Sequence, residues 1–272
     1  MTALPKEKPD DHRTTARLGA NSVILAKTDQ PDARLPGTVH SAVDEIKAVG
    51  GSAVAVVGDV RIEVDVQRAV DAAVVEFGGI DIVVNNASAL NLAGTAALDL
   101  KRYDLMQQIN SRGTFLLTRT ALPALQKSSD AQVLTLSPPI NLSPHWLAKF
   151  PAYMLSKYGM TLLTLGFAAE LGDQGIRANC LWPETTIATA AVINLLGGDD
   201  AAGRSRSPKI MADAAGLVLT NPARPTGQTF MDSEVVLASG LSDLSVYGGT
   251  DDPEPDFFVD EVARSTQRSV GN

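Results

Sequence analysis

The sequence predicts an α/β fold in which helices cover both faces of a doubly wound parallel sheet. Two patterns support this: short β-branched runs alternate with longer stretches of helical periodicity, and glycines follow several of those stretches. A chain of 272 residues that is 44% hydrophobic can bury one large core. We therefore expect a single domain over residues 19–247, preceded by an atypical segment, 1–18, and followed by a tail, 248–272.

The predicted strands are short apolar runs suited to burial inside a sheet. In chain order they cover residues 22–26, 53–57, 80–84, 132–136, 177–181 and 229–231. The predicted helices have apolar residues at helical spacing, and Gly50, Gly78 and Gly172 end three of them. In chain order they cover residues 40–49, 63–77, 103–125, 152–171, 187–196 and 208–220. Strands that alternate with helices are expected to pair in parallel, which aligns their carboxyl ends along one edge.

Composition and charge exclude several classes of function. The formal net charge is -8, from 31 acidic and 23 basic residues, so we expect no binding to nucleic acid or to an anionic membrane surface. The single cysteine, Cys180, cannot form an internal disulfide and suits a reducing compartment. The N-terminal residues show no apolar signal segment, and no run of about 18 apolar residues occurs. We expect a cytoplasmic protein whose partners are small molecules.

The sharpest chemical signal is a tyrosine and a lysine, Tyr153 and Lys157, within one predicted helix. The i, i+4 spacing places both side chains on the same helix face. A phenol with a pKa of about 10 is a poor acid or base at neutral pH, and a neighbouring ammonium lowers that pKa by favouring the phenolate. The pair is a candidate for proton transfer. Chance alone also produces this spacing, so the surrounding residues must show whether the pair is functional.

Five further positions supply that context. Asn86 and Ala87 follow the third predicted strand, at the end where ligands bind in open α/β sheets. Asn110 lies in the middle of a predicted helix, where asparagine is unfavourable without a specific role. Taken alone, each asparagine is explained by a cap or a turn. Together with Asp59 after the second strand and Pro183 after the fifth, they form an ordered set that caps and turns do not produce.

This ordered set resembles the short-chain dehydrogenase/reductase family, which has a Rossmann-like fold. The motifs that carry the resemblance are Asp59-Val60, the block NNAS, Asn110, the segment YMLSK, and Pro183 followed by Ile187 and Thr189. The stretches KTDQPDARLPGT, KRYDLMQQINSRGTF, LSPPINLSP, WPETTIATAA and PDFFVD are similar to the hydroxysteroid dehydrogenase-like branch, without the sterol-carrier domain that some members append. The resemblance runs from about Gly19 to about Asp260.

The resemblance implies an NAD(P)-dependent oxidoreductase that interconverts a carbonyl compound and its alcohol, assembled as a homodimer or homotetramer. It implies that Tyr153 is the acid/base, that Lys157 lowers its pKa and binds the nicotinamide ribose, and that Asn110 holds a water of a proton relay. The other positions implied to bind the cofactor, from adenine to carboxamide, are Asp59, Val60, Asn86, Ala87, Pro183, Ile187 and Thr189. We expect an apolar substrate because apolar residues flank the predicted site, namely Trp146, Leu147, Phe150, Trp182, Ile193 and Leu195.

The catalytic serine is the first departure from the family pattern. That serine hydrogen-bonds the substrate carbonyl and stabilises charge developing on its oxygen. Aligning LSPP with the family's ISS pattern puts Pro138, rather than Ser137, at the serine position. A short insertion would let Ser137 or Ser143 point into the pocket, and we take Ser137 as the candidate. The alternative is that Ser137 only begins a proline turn.

The phosphate-binding segment is the second departure. The family begins with a strand, a TGxxxGxG turn and a helix, and backbone N–H groups of that turn approach the pyrophosphate. No stretch before Gly19 reads TGxxxGxG. We expect residues 1–18 to be disordered, or to reflect an incorrect start or a frameshift. The family's first strand is central to its sheet, so its absence would remove an internal ladder.

Lys27 bears on the choice of cofactor. It ends the strand at which NAD-preferring enzymes carry an acid for the ribose hydroxyls. A lysine attracts a 2′-phosphate, so NADP(H) is favoured over NAD(H); the alternative is a solvated surface lysine. The competing functional hypothesis is a non-catalytic or truncated family member that binds no dinucleotide and acts as an interaction subunit. The presence or absence of the phosphate loop discriminates between the two hypotheses.

Overall fold

The computed structural model describes residues 19–31, 37–189, 203–249 and 253–260. Its strands form two separate parallel sheets. One sheet pairs β1 (Asn21–Ala26) with β2 (Ser52–Val57). The other has the order β3 (Ile82–Asn85), β4 (Gln132–Leu136), β5 (Arg177–Trp182), β6 (Thr229–Met231). The predicted strands are confirmed, with small shifts at their ends.

The helices alternate with these strands along the chain. They are α1 (Val39–Ala48), α2 (Glu63–Phe77), α3 (Leu100–Gln107), α4 (Gly113–Leu125), α5 (Pro144–Lys149), α6 (Pro151–Leu171), α7 (Lys209–Leu219) and α8 (Asp232–Ala238). One π-helical turn, Gln108–Arg112, joins α3 to α4, where the sequence predicted a continuous helix. The short helices α5 and α8 were not predicted, because too few apolar positions fall in so short a stretch to show a period.

Local sequence fixes several helix ends. Thr38 caps α1 through a capping box, in which its hydroxyl accepts from the Ser41 backbone N–H and the Ser41 hydroxyl oxygen accepts from the Thr38 backbone N–H. Gly78 ends α2 in the left-handed conformation, with φ of 84°, which a residue without a Cβ adopts readily.

Helices cover both faces of the two sheets, as predicted for a doubly wound fold. Val23 of β1 and Val83 of β3 belong to one buried cluster, which α2, α4 and α6 complete on that face. On the other face, Ile46 of α1 packs on the smaller sheet, and Ile210 of α7 packs on the larger one. The two sheets therefore share a core although no strand pairing joins them within the described ranges. No helix of the described residues is long and apolar enough to cross a membrane.

The sheet is divided between β1 and β3. Among the described residues, β1 pairs only with β2, and β3 pairs only with β4. The family resemblance places a central strand between the elements corresponding to β1 and β3. The division therefore falls at the place where the sequence predicted an absent ladder.

Two predicted segments differ in the structure. Ile187 forms an isolated parallel bridge with Arg206, so the prediction of a helix beginning at Ile187 is wrong; residues 190–202 lie outside the described residues. The extended backbone is favoured because Arg206 N donates to Thr186 O at 2.9 Å and Ala188 N donates to Arg206 O at 2.8 Å. Residues 253–260, which the sequence placed in the C-terminal tail, pack on the domain and bury Phe258.

Candidate active site

Most of the predicted site residues lie at one edge of the structure. Residues that follow a strand directly or within two positions are Lys27, Asp59, Asn86, Ser137 and Pro183. The described strands pair in parallel within each sheet, so these positions lie at the carboxyl ends of their strands, where ligands bind in α/β sheets. Lys157 of α6 reaches the same edge, because its Nζ donates to the backbone oxygen of Leu136, the last residue of β4, at 3.0 Å.

Tyr153 and Lys157 lie one turn apart near the start of α6, and both are buried. The structure thus brings together the two side chains that the sequence paired. The Lys157 ammonium lies 5.0 Å from the centroid of the Trp182 ring. Burial lowers the pKa of Lys157 to about 8, while the charge of Asp256 acts in the opposite direction. Lys157 therefore carries its charge at neutral pH.

The pKa of Tyr153 moves against the sequence-based expectation. Burial raises it above its ordinary value, and the nearby charge of Asp256 raises it further. Removal from water disfavours the phenolate, so the net shift is upward; the expectation that Lys157 lowers this pKa stays a prediction. At neutral pH the Tyr153 hydroxyl is therefore protonated and can serve as a proton donor.

Asn110 connects three elements of the site. It is fully buried in the π-helical turn, a distortion that often marks functional positions. Its Oδ1 accepts from Ala89 N at 2.7 Å, and its Nδ2 donates to Ala89 O at 3.0 Å and to Ser156 Oγ at 2.8 Å. These bonds tie the segment after β3 to α6. Both amide hydrogens are used, so a relay water has only the second lone pair of Oδ1 to bind on this side chain.

Ser137 directly follows β4 and is fully buried. Its hydroxyl lies beside the Cys180 thiol; burial raises the pKa of that thiol, and a hydrogen bond from Ser137 acts in the opposite direction. Ser143, the other candidate, sits at the N-cap of α5, and its buried hydroxyl has no partner among the described residues. Neither serine has a described hydrogen bond to Tyr153, so the assignment of Ser137 as the carbonyl-binding serine stays a prediction. Buried hydroxyls without partners are uncommon, so Ser143 stays the alternative candidate.

Three charged side chains, Lys27, Asp59 and Arg61, lie together at the carboxyl ends of β1 and β2. Arg61 binds the Asp59 carboxylate through Nε and Nη2, with a shortest distance of 2.6 Å, and Lys27 Nζ lies 3.7 Å from the same carboxylate. Burial alone would raise the pKa of Asp59, but the hydrogen bonds from Arg61 lower it overall. Sequence reasoning missed Arg61, although its position two residues after Asp59 permits such a contact. Val60 is buried and packs against Gly113, where a Cβ would come within 3.2 Å of it.

The remaining predicted cofactor contacts lie after β3 and β5. Asn86 and Ala87 are partly buried, and Ala87 packs on the core shared by the two sheets. Pro183 is buried directly after Trp182, and Ile187 is buried beside the bridge to Arg206. Thr189 is the last described residue before residues 190–202, and its N–H donates to Ile187 O at 2.6 Å. The contacts assigned to these residues stay predictions.

An aromatic cluster surrounds Tyr153 at this edge. Phe257 and Phe258 lie with ring centroids 6.2 Å and 6.1 Å from that of Tyr153. Phe258 also contacts Trp146 at 5.6 Å and Trp182 at 6.4 Å. Trp146, Phe150 and Trp182, predicted as pocket residues, belong to this cluster, whereas Ile193 and Leu195 lie outside the described residues. Sequence reasoning used PDFFVD only as part of the family resemblance and did not place Phe257 and Phe258 beside Tyr153.

A nicotinamide dinucleotide fits only part of this edge. Lys27, Asp59 and Arg61 offer charged and hydrogen-bonding groups for an adenosine end, and Lys157 offers an ammonium at the reaction end. No strand followed by a glycine-rich turn lies between β1 and β3 in the described part of the chain, so no described residue fits the pyrophosphate. Among the same residues, no group of three or more His, Cys, Asp or Glu side chains could hold a metal ion.

Comparison with known proteins agrees with this geometry. A family model described as short chain dehydrogenase matches residues 13–196. Hydroxysteroid dehydrogenase-like protein 2 is 46% identical over 248 residues in Xenopus tropicalis, covering 90% of this chain and 59% of that protein. In Homo sapiens it is 43% identical over 257 residues, covering 94% of this chain and 61% of that protein. The chain thus spans about 59% of the curated relative from Xenopus tropicalis.

A solved structure shares the fold over nearly the whole chain. It is a short chain dehydrogenase homologue from Mycobacterium thermoresistibile, 48% identical, with a TM-score of 0.87. The similarity covers 93% of this chain and 90% of that one.

Proposed function

Because the chain belongs to the short-chain dehydrogenase family, we propose that it is an NAD(P)-dependent oxidoreductase that interconverts an apolar carbonyl compound and its alcohol. Members of this family are oxidoreductases of small molecules that use nicotinamide dinucleotides. The substrate class, the cofactor preference and the roles of individual residues belong to the proposal. One observation carries it: Tyr153 and Lys157 are buried one turn apart at the carboxyl edge of the larger sheet.

Tyr153 is the proton donor of the proposed reduction. The nicotinamide, when bound, supplies the hydride that the carbonyl carbon receives. The raised pKa of Tyr153 keeps its hydroxyl protonated, so that proton is available for the carbonyl oxygen as negative charge develops there. The charged Lys157 then stabilises the phenolate that is left behind. In the oxidation direction the same groups take the proton from the alcohol.

Lys157 is suited to bind a hydroxyl group as well as to stabilise the phenolate. Two of its three N–H donors have described partners, Leu136 O at 3.0 Å and the thioether of Met160 at 3.8 Å. The third donor can serve a ribose hydroxyl. This supports the double role that the family resemblance implies for Lys157.

The aromatic surroundings of Tyr153 support an apolar substrate. Phe257, Phe258 and Trp182 present ring faces and edges near the proposed reaction centre, and apolar walls with few polar groups suit an apolar ligand. At the other end, Lys27 supports NADP(H), since its side chain is 57% exposed and can turn from Asp59 towards a 2′-phosphate.

Assembly through the helices that carry Asn110 and Tyr153 is part of the same proposal. Phe115 of α4 is 46% exposed, and Leu162 of α6 is 60% exposed. Apolar side chains on neighbouring helices suit contact with a second copy, as a homodimer or homotetramer. A cytoplasmic location belongs to the proposal too, because Cys180 is a free thiol and suits a reducing compartment.

A second candidate is a non-catalytic family member that binds no dinucleotide. The division between β1 and β3 favours it, because this is where the family holds the pyrophosphate. The two candidates differ in what the purified chain does with cofactor. The first candidate predicts hydride transfer by the purified chain. The second predicts no hydride transfer at any cofactor concentration.

Deuteride transfer tests the proposal directly. The chain is incubated with 4-deuterated NADPH or NADH at millimolar concentration and a panel of apolar ketones and aldehydes, and the alcohols are analysed by mass spectrometry. We expect deuterium at the carbinol carbon, and a loss of about 10²- to 10⁴-fold for Tyr153→Phe, which keeps the ring but removes the proton. Tyr103→Phe is the matched control, because Tyr103 lies on α3 outside the aromatic cluster. Deuterated alcohol formed equally by Tyr153→Phe would overturn the assignment.

A further inference from the structure

Residues 253–260, here called the strap, are fixed across the reaction end of the site. Thr186 N donates to Glu254 O at 2.9 Å, and Asp256 N donates to Glu184 O at 3.0 Å, which makes a short antiparallel bridge with the segment after β5. Further along, the Trp182 indole donates to Phe257 O at 3.0 Å. The strap is therefore anchored on both sides of Asp256.

The far end of the strap is anchored as well. Asn141 Nδ2 donates to Phe258 O at 3.1 Å and to the Asp260 carboxylate at 2.9 Å, and the Trp146 indole donates to Asp260 at 3.0 Å. Phe258 takes a positive φ of 69°, an unfavourable conformation for a bulky residue, while its ring is buried. Packing and hydrogen bonds together hold this conformation in place. Such a segment can position a side chain accurately.

Asp256 is the ionisable group that this anchoring places beside the reaction pair. The next residue, Phe257, contacts the Tyr153 ring, and its carbonyl is bonded to Trp182, over whose ring the Lys157 ammonium lies. The Asp256 carboxylate accepts from Phe257 N at 2.5 Å, which limits its rotation. From this placement we propose that Asp256 is a positioning residue of the reaction, whose carboxylate keeps the Lys157 ammonium charged inside its buried site. This inference rests on the proposed function of the Tyr153 and Lys157 pair.

Burial of Lys157 disfavours its ammonium form, and a nearby carboxylate counteracts this effect. Without a partner of opposite charge, Lys157 would lose its proton more readily still, because its surroundings already lower its pKa to about 8. Asp256 raises the pKa of Lys157, and reciprocally Lys157 lowers that of Asp256, which burial raises to about 7. Each group thus favours the charged form of the other, against the effect of burial on both.

The other charges facing Asp256 do not replace Lys157 as its partner. Asp232, at the start of α8, is also acidic and raises the pKa of Asp256. Glu184, which accepts from Asp256 N through its backbone, carries a carboxylate 3.7 Å from the Arg206 guanidinium. Tyr153 is uncharged at neutral pH, and Asp256 raises its pKa. Lys157 is thus the cation that lowers the pKa of Asp256.

Titration of Lys157 by NMR tests the inference without cofactor or substrate. Chain labelled with ¹³C-lysine is titrated, and the Lys157 side-chain signals are assigned by their loss in Lys157→Met. In Asp256→Asn we expect the pKa of Lys157 to fall by about one unit, as expected for loss of one charge within several ångströms at partial burial. Glu254→Gln is the matched control, since it removes one charge from the exposed part of the strap, where Glu254 pairs with Arg204 at 3.2 Å.

A shift in Asp256→Asn no larger than that in Glu254→Gln would overturn the inference. Should Asp256→Asn fail to fold, the reciprocal measurement decides: ¹³C-carboxyl titration in Lys157→Met must show the pKa of Asp256 rising above its wild-type value. An unchanged Asp256 pKa there would also overturn it. Because these titrations need no turnover, absence of hydride transfer would refute the proposed function while leaving the result on Asp256 standing.

Discussion

The two sheets of this protein differ in how completely they form a site. The larger sheet, β3 to β6, has three parallel pairings and supports a buried reaction pair, Tyr153 and Lys157. The smaller sheet, β1 and β2, has one pairing, and its predicted site residues, Lys27 and Asp59, are bound mainly to each other and to Arg61. The proposed reaction chemistry depends on side chains of one helix, whereas pyrophosphate binding in the family depends on a backbone turn between strands. The described residues can therefore hold the proposed reaction pair without holding the pyrophosphate.

Electrostatics show the same contrast. Around Tyr153 and Lys157, burial controls the pKa values and moves both groups towards their neutral forms. Around Asp59, the bound guanidinium of Arg61 outweighs burial, and the carboxylate stays charged. The surroundings of Tyr153 and Lys157 are thus enclosed and of low polarity, whereas Lys27, Asp59 and Arg61 form a charged and more exposed group.

Dinucleotide affinity is the largest expected effect of this difference. A glycine-rich turn supplies roughly three charge-assisted hydrogen bonds to phosphate, each about 1.5 to 3 kcal/mol, and about 4 to 6 kcal/mol after allowance for non-additivity. Without them, binding should be weaker by about 10³- to 10⁴-fold. We expect calorimetry of the 272-residue chain to show no saturable NADPH or NADH binding below about 1 mM.

The control for that measurement is a chain with an apolar strand and a TGxxxGxG turn fused ahead of Gly19. We expect it to regain micromolar affinity. Micromolar binding by the 272-residue chain itself would remove the contrast between the two sheets, since other groups would then hold the pyrophosphate.

Removing the Phe258 ring should give the next largest effect, on the reaction side. Phe258 is fully buried, and a Phe→Ala change in such a core costs about 3 to 5 kcal/mol. Both tryptophans of the chain, Trp146 and Trp182, contact this ring, so their fluorescence reports it directly. In Phe258→Ala we expect a red-shifted emission and a lower free energy of unfolding in urea. The exposed Leu142 is the comparison, and Leu142→Ala should leave both nearly unchanged. An equal effect in both variants would show that the strap contributes little to this half.

Reversing the charge at Lys27 should give the smallest effect, on the cofactor side. In Lys27→Asp, the new carboxylate repels a 2′-phosphate and accepts from ribose hydroxyls, so the preference should move towards NAD(H) by about tenfold or more. The ratio of kcat/KM for the two cofactors, measured in a form that turns over substrate, gives the answer. Lys47→Asp, in the last turn of α1, is the control for a general change in charge. An unchanged ratio would mean that Lys27 is a solvated surface residue.

The sequence determined the fold class, the strands and the pairing of Tyr153 with Lys157. These features depend on local periodicity: apolar runs mark buried strands, and a spacing of four residues places two side chains on one helix face. The sequence also predicted where the sheet divides, because no TGxxxGxG turn, with the strand that comes before it in the family, is found ahead of Gly19.

Only the tertiary structure decided the environment of those residues. The raised pKa of Tyr153 depends on how much water surrounds its hydroxyl, and no spacing rule contains that information. The π-helical turn at Asn110 depends on hydrogen bonds to Ala89 and Ser156, which are distant in sequence. Asp256 and Phe258 reach the reaction pair from the other end of the chain, through contacts spanning about a hundred residues. Burial and long-range packing are properties of the folded chain as a whole, so a local reading of the sequence cannot supply them.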